Sequence, residues 1–327
     1  MIRIIQRALF LLEKDPQAFF ILLFVNKPRA VLRKQLYSIK QWVCTAVFKL
    51  TGQEKYSRIK SSIPWIVILS TEDVFLKISW RAACIEHEIK NMQLLNEFES
   101  LRCLIIPYLY KKHLCYSVIE KQRRHPVTED SELFEAAVRI LERFQRCAEI
   151  RHKNKVDDFE QLTNGLNVIE EMSGREKKQI CANEIMALMD KESFYVGPAH
   201  GDFHLNNILK DSNGNNYVID LDCFRLQGIQ ALDAIYFVNE YYANKNKINW
   251  YQQLILFAEK KQAYSPVELP FIERFCKISC IQWLLIYFLD RIGQDRSYVA
   301  NVTEMPVREI VNFLNVYMKI KNQVIND

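Results

Sequence analysis

Three observations predict an α+β fold with two unequal lobes. The stretch from residue 56 to residue 120 is rich in β-forming runs and holds a single helical pattern. From Glu132 onward the apolar spacing is helical, apart from one hairpin pattern between Ile208 and Ile219. With 327 residues, 49% hydrophobic and 25% charged, the chain carries enough apolar material for two cores, at about 100–200 residues per domain.

The elements follow in order. Ile4, Ile5, Ala8, Leu11 and Leu12, then Val31, Leu32, Leu36, Ile39 and Val43, recur at helical spacing with basic residues between them. Residues 1–50 therefore read as a basic amphipathic helical extension. Tyr56–Lys60 is a candidate strand. Pro64–Ser70 and Asp73–Ser79 form a hairpin pattern. Ala82–Phe98 reads as a helix with Ile85, Ile89, Met92 and Leu95 on one face. Leu104–Tyr110 and Leu114–Glu120 make a second strand pair around Lys111–His113. Leu133, Ala136, Ile140, Leu141 and Phe144 place a helix over Glu132–Glu149. Arg151–Thr163 is polar and reads as loop, and helix resumes near Gly174–Lys191. The expected domains are thus residues 1–50, 51–121 and 122–327.

Charge and cysteine usage exclude several classes. Residues 1–60 hold twelve basic and three acidic residues, a net +9; with +5 overall, the rest of the chain carries −4. The basic stretch contains no recognised nucleic-acid module, and an acidic remainder argues against a nucleic-acid partner. It suits contact with an anionic membrane surface, or a packed extension with a solvated basic face. Nine Cys are scattered without a C-x-x-C pair, so a disulfide scaffold or zinc ribbon is not expected. The longest apolar run, Ala18–Val25, is far short of the ~20 residues of a membrane span. Met1–Leu12 carries Arg3 and Arg7, but no small-residue cleavage site follows, so no secretory signal is expected.

The chemistry concentrates in Ala199-His200-Gly201-Asp202-Phe203-His204-Leu205-Asn206-Asn207 and in Ile219-Asp220-Leu221-Asp222. Ile208–Lys210 and Tyr217–Ile219 read as two strands joined by the Asn- and Gly-rich turn Asp211–Asn216. Such a hairpin brings its outer ends together, so Asp202, Asn207 and Asp220 converge. Two carboxylates and an amide oxygen suit phosphoryl transfer. The migrating group is highly anionic, and hard oxygen ligands hold the magnesium that neutralises it. One carboxylate and the amide suffice for the metal, and the other carboxylate can take the acceptor hydroxyl's proton.

These residues resemble the signature of the aminoglycoside phosphotransferase, choline kinase and lipopolysaccharide core sugar kinase superfamily: His-Gly-Asp, four residues, Asn, then a strand-borne Ile-Asp. The resemblance implies a bilobal protein-kinase-like fold, with a small strand-rich N-lobe, a larger helical C-lobe and, here, the N-terminal helical extension. It implies ATP and Mg²⁺ as cofactors. Asp202 becomes the catalytic base, Asn207 and Asp220 the magnesium ligands, and His200 and Asp233 structural members of the catalytic loop. Lys77, in a strand, would hold the nucleotide phosphates and be oriented by Glu88, with Glu86 as its rival. Glu120 and Lys121 resemble the strand end and hinge that receive adenine. No glycine-rich phosphate loop is present; Ser61 and Ser62 stand where it would lie.

The acceptor stays open. A small-molecule or glycolipid hydroxyl is implied. A cell-envelope sugar at the inner membrane surface suits the basic N-terminus and the Ile-Asp-Leu-Asp wording, while an aminoglycoside or choline-like metabolite fits the same core. A nucleotide-binding pseudokinase scaffold would explain the missing glycine loop, but Lys77, Asp202, Asn207 and Asp220 are all in place. The location implied is cytoplasmic, peripheral to the inner membrane face on the first reading. His200-x-Asp202-x-His204 also has the alternation of a zinc site, yet His87, His113, His125 and His152 form no comparable cluster. Asp222 is expected to pair with Arg225, with metal binding as the alternative. Cys223 reads as a packing residue and His204 as a supporting loop residue. The aromatics of Tyr236–Tyr242 read as helix core before acceptor stacking.

Overall fold

The computed structural model describes residues 57–59, 66–70, 74–79, 82–106, 108–111, 114–118, 124–126, 129–152, 154–298 and 307–326. The expected extension over residues 1–50 lies outside them, as do Ser61, Ser62, Glu120 and Lys121. The chain forms two compact units. One draws on residues up to Lys90 and on Ile106–Arg124, the other on Asn91–Ile105 and residues from His125.

The first unit is built on an antiparallel sheet. Its strands are β1 (Ser57–Ile59), β2 (Ile66–Ser70), β3 (Val74–Ser79), β4 (Tyr108–Lys111) and β5 (Leu114–Val118), in the order β1-β2-β3-β5-β4. Both expected hairpins are present. Lys77 sits on the central strand, opposite Ile68 on one side and Cys115 on the other. Helix α1 (Ala82–Asn96) follows, and the division between the units falls within it. Its apolar face is the expected one: Ile85, Ile89, Met92 and Leu95 are buried.

One expected strand is shorter than its sequence pattern. Leu104–Tyr110 is uniformly apolar, yet β4 begins only at Tyr108. A short helix, α2 (Glu99–Arg102), delivers Leu104 and Ile105 to the second unit, where the Leu104 carbonyl accepts the Val218 N–H at 2.9 Å. Pro107 has no N–H to extend a ladder.

The second unit holds two three-stranded sheets. One runs β10 (Asn216–Val218), β9 (Ile208–Asp211), β6 (Arg124–Pro126); the other runs β11 (Arg225–Ile229), β8 (Phe194–Ala199), β7 (Glu149–Arg151). Helices α3 (Asp130–Gln145), α4 (Glu160–Ser173), α5 (Arg175–Lys191), α6 (Gln230–Asn246), α7 (Trp250–Ala258), α8 (Leu269–Phe275), α9 (Ile281–Tyr298) and α10 (Val307–Asn326) supply the rest. The polar stretch expected as loop from Arg151 to Thr163 instead contains a 3-10 turn, Val156–Asp158, and the start of α4. Leu162, Leu166 and Ile169 bury one face of that helix, while Asn164 and Asn167 between them obscure the pattern.

Helix α9 is apolar nearly all round, with Leu284 through Leu289 buried, so it needs neighbours on every side. It meets α4 backbone to backbone. A Cβ on Gly293 would lie 1.9 Å from the Gln161 carbonyl oxygen, and one on Gly165 would lie 2.1 Å from that of Leu289. In a chain with only eight glycines, two are placed at this one crossing. No described helix is long and apolar enough to cross a membrane.

Candidate active site

Strand β8 ends at Ala199, and His200–Asn207 leaves it as a loop whose backbone is pinned from several sides. Asp233, in the first turn of α6, is buried and accepts two main-chain N–H groups: His200 through Oδ2 at 2.7 Å and Gly201 through Oδ1 at 2.8 Å. Burial raises its carboxyl pKa, against the pull of His200 and the two amides. Gln230, one turn earlier, donates to the carbonyls of Phe144 at 2.7 Å and Pro198 at 3.0 Å. The N-terminus of α6 thus fixes both the strand end and the loop.

Gly201 has φ of +77°, and a Cβ there would fall 2.1 Å from the Cys223 carbonyl oxygen. Only glycine lets the loop lie this close to the 3-10 turn Leu221–Cys223. His200 makes the second tie. Its Nε2 donates to the Ile219 carbonyl at 3.0 Å, and its Nδ1 accepts the Asp202 N–H at 3.3 Å, which fixes the tautomer. The residue before Asp220 and the backbone of Asp202 are therefore held by one fully buried imidazole.

The β9–β10 hairpin completes the arrangement. Its turn is an Asx type: Asp211 Oδ1 accepts the N–H groups of Asn213 at 2.9 Å and Asn215 at 2.8 Å, with Gly214 at positive φ. Ile208 pairs with Val218, and Ile219 N–H bonds the Asn207 carbonyl at 3.1 Å. Asn207 and Asp220 accordingly lie at the open end of the hairpin. Asn207 Nδ2 donates to the Asp202 carbonyl at 2.9 Å, so Oδ1 is the atom turned to any other task. Asp220 sits in the left-handed region, φ 62° and ψ 59°. That conformation is uncommon for a non-glycine residue, though Asp is among those that tolerate it. Asn91, buried on α1, donates to the carbonyls of Leu221 at 2.8 Å and Asp222 at 3.4 Å and supports the turn that follows.

Asp202 has its own charged surroundings. His204 Nε2 lies 3.6 Å from Oδ2 and Arg291 Nη1 lies 3.5 Å from Oδ1. Burial pushes the Asp202 carboxyl up, but the ion pairing of His204, then the charges of Arg291 and His200, outweigh it and hold the group below its ordinary range. His204 is shifted the other way. Burial would lower it, and Asp202, followed by Glu240 and Asp220, raises it. A carboxylate kept ionised beside a protonatable imidazole can take a proton from an alcohol as the new bond forms.

In the first unit, Lys77 Nζ pairs with Glu88 Oε2 at 2.9 Å, with side chains 14% and 5% exposed. Glu86 is exposed on the same helix. Of the two rivals, Glu88 is the one seen paired with Lys77.

Sequence reasoning missed Arg291 and misassigned Arg225. Arg225 was expected opposite Asp222; instead it bonds Asp290 twice, at 2.6 and 3.0 Å, and also Gln294. Arg291 adds Glu240 at 3.4 Å, and its guanidinium lies 4.0 Å from the ring centre of Tyr236 and 5.5 Å from that of Trp250. The available signal was a charged pair, Asp290-Arg291, at the end of a solidly apolar helical run, where buried charges need partners. Cys223 is a packing residue: burial first, then Asp202 and Asp222, push its thiol well above the ordinary value. Tyr236, Phe237, Tyr241 and Tyr242 are buried, as the core reading expected.

The fold and loop define a protein-kinase-like phosphotransferase. The structure resembles the choline kinase LicA from Streptococcus pneumoniae, at 14% identity and a TM-score of 0.53, over 86% of this chain and 98% of that one. It also resembles the aminoglycoside phosphotransferase APH(2'')-Ib with ADP bound (15% identity, TM-score 0.50, 85% and 98% covered). A third likeness is to a thermostable mutant of the aminoglycoside phosphotransferase APH(4)-Ia in ternary complex with AMP-PNP and hygromycin B (12% identity, TM-score 0.51, 85% and 97% covered). No curated protein matches the sequence. The chain belongs to the Phosphotransferase enzyme family, whose sequence model matches residues 65–268. It is a kinase that transfers phosphate to an alcohol group of a small molecule.

Proposed function

We propose that the chain transfers the γ-phosphoryl group of Mg·ATP to an acceptor hydroxyl, with Asp202 as the base. The observation that carries this reading is the pinned loop: Asp233, His200 and Gly201 fix the backbone on both sides of a carboxylate held ionised by His204 and Arg291. Asn207 Oδ1 and Asp220 would hold the metal. They fit magnesium because both offer hard oxygens, and because the amide nitrogen of Asn207 is already committed to the Asp202 carbonyl. Bound there, the metal would supply the charge that neutralises the phosphates, and Lys77, paired with Glu88, would hold them. His200 and Asp233 touch no reacting atom and act through the loop. Ser61, Ser62, Glu120 and Lys121 remain assigned to the nucleotide on the family resemblance.

Asp202→Ala is expected to lose transfer by at least about 100-fold while nucleotide affinity stays near that of the wild type. Phosphate transfer is measured by coupled ADP release, and nucleotide affinity by calorimetry. Retained turnover in the variant would remove Asp202 from the role.

For the acceptor, we propose a sugar hydroxyl of the cell envelope, met at the inner membrane face. The support is the net +9 of residues 1–60 and the Ile219-Asp220-Leu221-Asp222 wording. Full-length protein is expected to float with vesicles of anionic lipid at low salt and to be released by high salt. Flotation equal on neutral and anionic vesicles would count against the membrane part.

A further inference from the structure

Arg291 occupies a position built for a cation. Two ring faces, Tyr236 at 4.0 Å and Trp250 at 5.5 Å, and the Glu240 carboxylate at 3.4 Å surround its guanidinium. Aromatic faces with an acid beside them are the means by which proteins bind ammonium and quaternary ammonium ligands. Tyr236 and Glu240 stand one turn apart on α6, Trp250 opens α7, and Arg291 comes from α9. Tyr287, buried one turn before Arg291, packs edge-on against both Tyr236 and Trp250 and holds the rings in place. The same guanidinium reaches Asp202 at 3.5 Å. Among the described residues its Nε and Nη1 have no hydrogen-bond acceptor. Nη2 donates to Glu240 Oε1 at 3.4 Å, and the ring faces with the through-space pairing to Asp202 carry the rest of the charge.

We propose that Arg291 is a resident cation filling this position, and that it selects the acceptor. It excludes acceptors with an ammonium group beside the reacting hydroxyl and admits those that are uncharged or anionic there. The inference rests on Asp202 marking where the acceptor hydroxyl binds. An ammonium group next to that hydroxyl would meet the rings and Glu240 already taken, and would face the guanidinium across a few ångströms. A tethered cation on a packed helix is not displaced by millimolar amine, and the like-charge contact acts as a repulsive filter. A phosphate or carboxylate at the same place would instead gain the guanidinium as partner.

The test compares full-length wild type, Arg291→Ala and Arg291→Lys, each checked for folding by thermal melt. Tetramethylammonium chloride is titrated by calorimetry, and transfer is followed with choline, glucose and glucose 1-phosphate as acceptors. Tetramethylammonium is expected to bind Arg291→Ala at least about 100-fold more tightly than it binds wild type or Arg291→Lys. The lysine variant separates charge from structure: a merely structural arginine would make both variants behave alike. Equal tetramethylammonium binding in wild type and Arg291→Ala, whether both bind or neither does, overturns the inference. So does wild-type turnover of choline at or above that of the two sugars. ATP hydrolysis by the wild type without acceptor reports on the phosphotransfer reading alone, so the two can fail separately. Should Arg291→Ala not fold, Arg291→Met keeps the side-chain volume and takes its place.

Discussion

At the scale of single residues, the site turns on one carboxylate and the cations around it. Asp202 is held ionised below its ordinary range because burial, which would raise it, loses to His204 and Arg291. A base must be deprotonated to work, so the acid limb of kcat/KM should lie below the usual carboxylate range. Of the neighbours that lower Asp202, His204 acts most strongly, through its charge at 3.6 Å. His204→Ala is therefore expected to move the acid limb to higher pH, and His204→Lys to restore part of the shift. A pH–rate profile from about pH 2.5 to about pH 8, which starts below the usual carboxylate range, is the measurement. An unmoved acid limb in His204→Ala would separate Asp202 from His204. That Asp202, Asn207 and Asp220 lie together was legible, because a hairpin brings its two outer ends together; the role given to His200 came from the family resemblance. Arg291 was not legible, since it reaches Asp202 from 89 positions away along the chain, on a helix whose pattern speaks only of packing.

At the scale of elements, hairpins and amphipathic helices were readable, and contacts between elements were not. The β2–β3 and β9–β10 hairpins follow from alternating apolar runs around polar turns. The sheet β11-β8-β7 was missed because β7 has three residues, and because the β8–β11 pairing shifts register between Arg225 and Gly228. The crossing of α4 and α9 was equally hidden, since two lone glycines 128 positions apart say nothing until they touch. With the Gln161 oxygen 1.9 Å from a Cβ at position 293, Gly293→Ala forces the helices apart. The expected cost is about 1–3 kcal/mol. Gly174→Ala is a poor control, because Gly174 has φ of +90°; an alanine at exposed Gln179 on α5 is a better one. Urea unfolding of the two variants gives the comparison, and an equal midpoint for both would contradict the close crossing.

At the scale of the whole molecule, stability and pH are linked through Glu268, just before α8. Its buried carboxylate accepts the Ser265 N–H at 2.6 Å, the Tyr242 hydroxyl and Lys245 Nζ at 2.9 Å, and lies 3.0 Å from the Tyr241 hydroxyl, which also bonds Asp130 at 2.7 Å. Burial pushes the carboxyl up, but these bonds prevail and bring it from 4.5 to about 2. A group depressed on folding stabilises the native state above its unfolded value. That contribution is fully present above about pH 4.5 and fades as pH falls toward 2. Glu268→Gln is therefore expected to lower Tm most near neutrality, with the gap to wild type narrowing at acid pH. A gap that is constant with pH would show that the carboxylate's charge is not what matters. The two-unit plan was visible in the order of strands and helices. The apolar run from Leu104 was not divisible by its pattern, because both parts are equally hydrophobic and only Pro107 marks the break.

The left-handed backbone at Asp220 gives the chain an incentive of its own. Holding a non-glycine residue there costs roughly 1–3 kcal/mol, which glycine would not incur. As long as the carboxylate is needed, selection retains a residue the fold alone would exchange. A lineage released from catalysis, or a library sorted only for heat resistance, should drift at this position first, toward glycine or asparagine. The residue at 220 thus serves as a marker of whether a descendant still works as an enzyme.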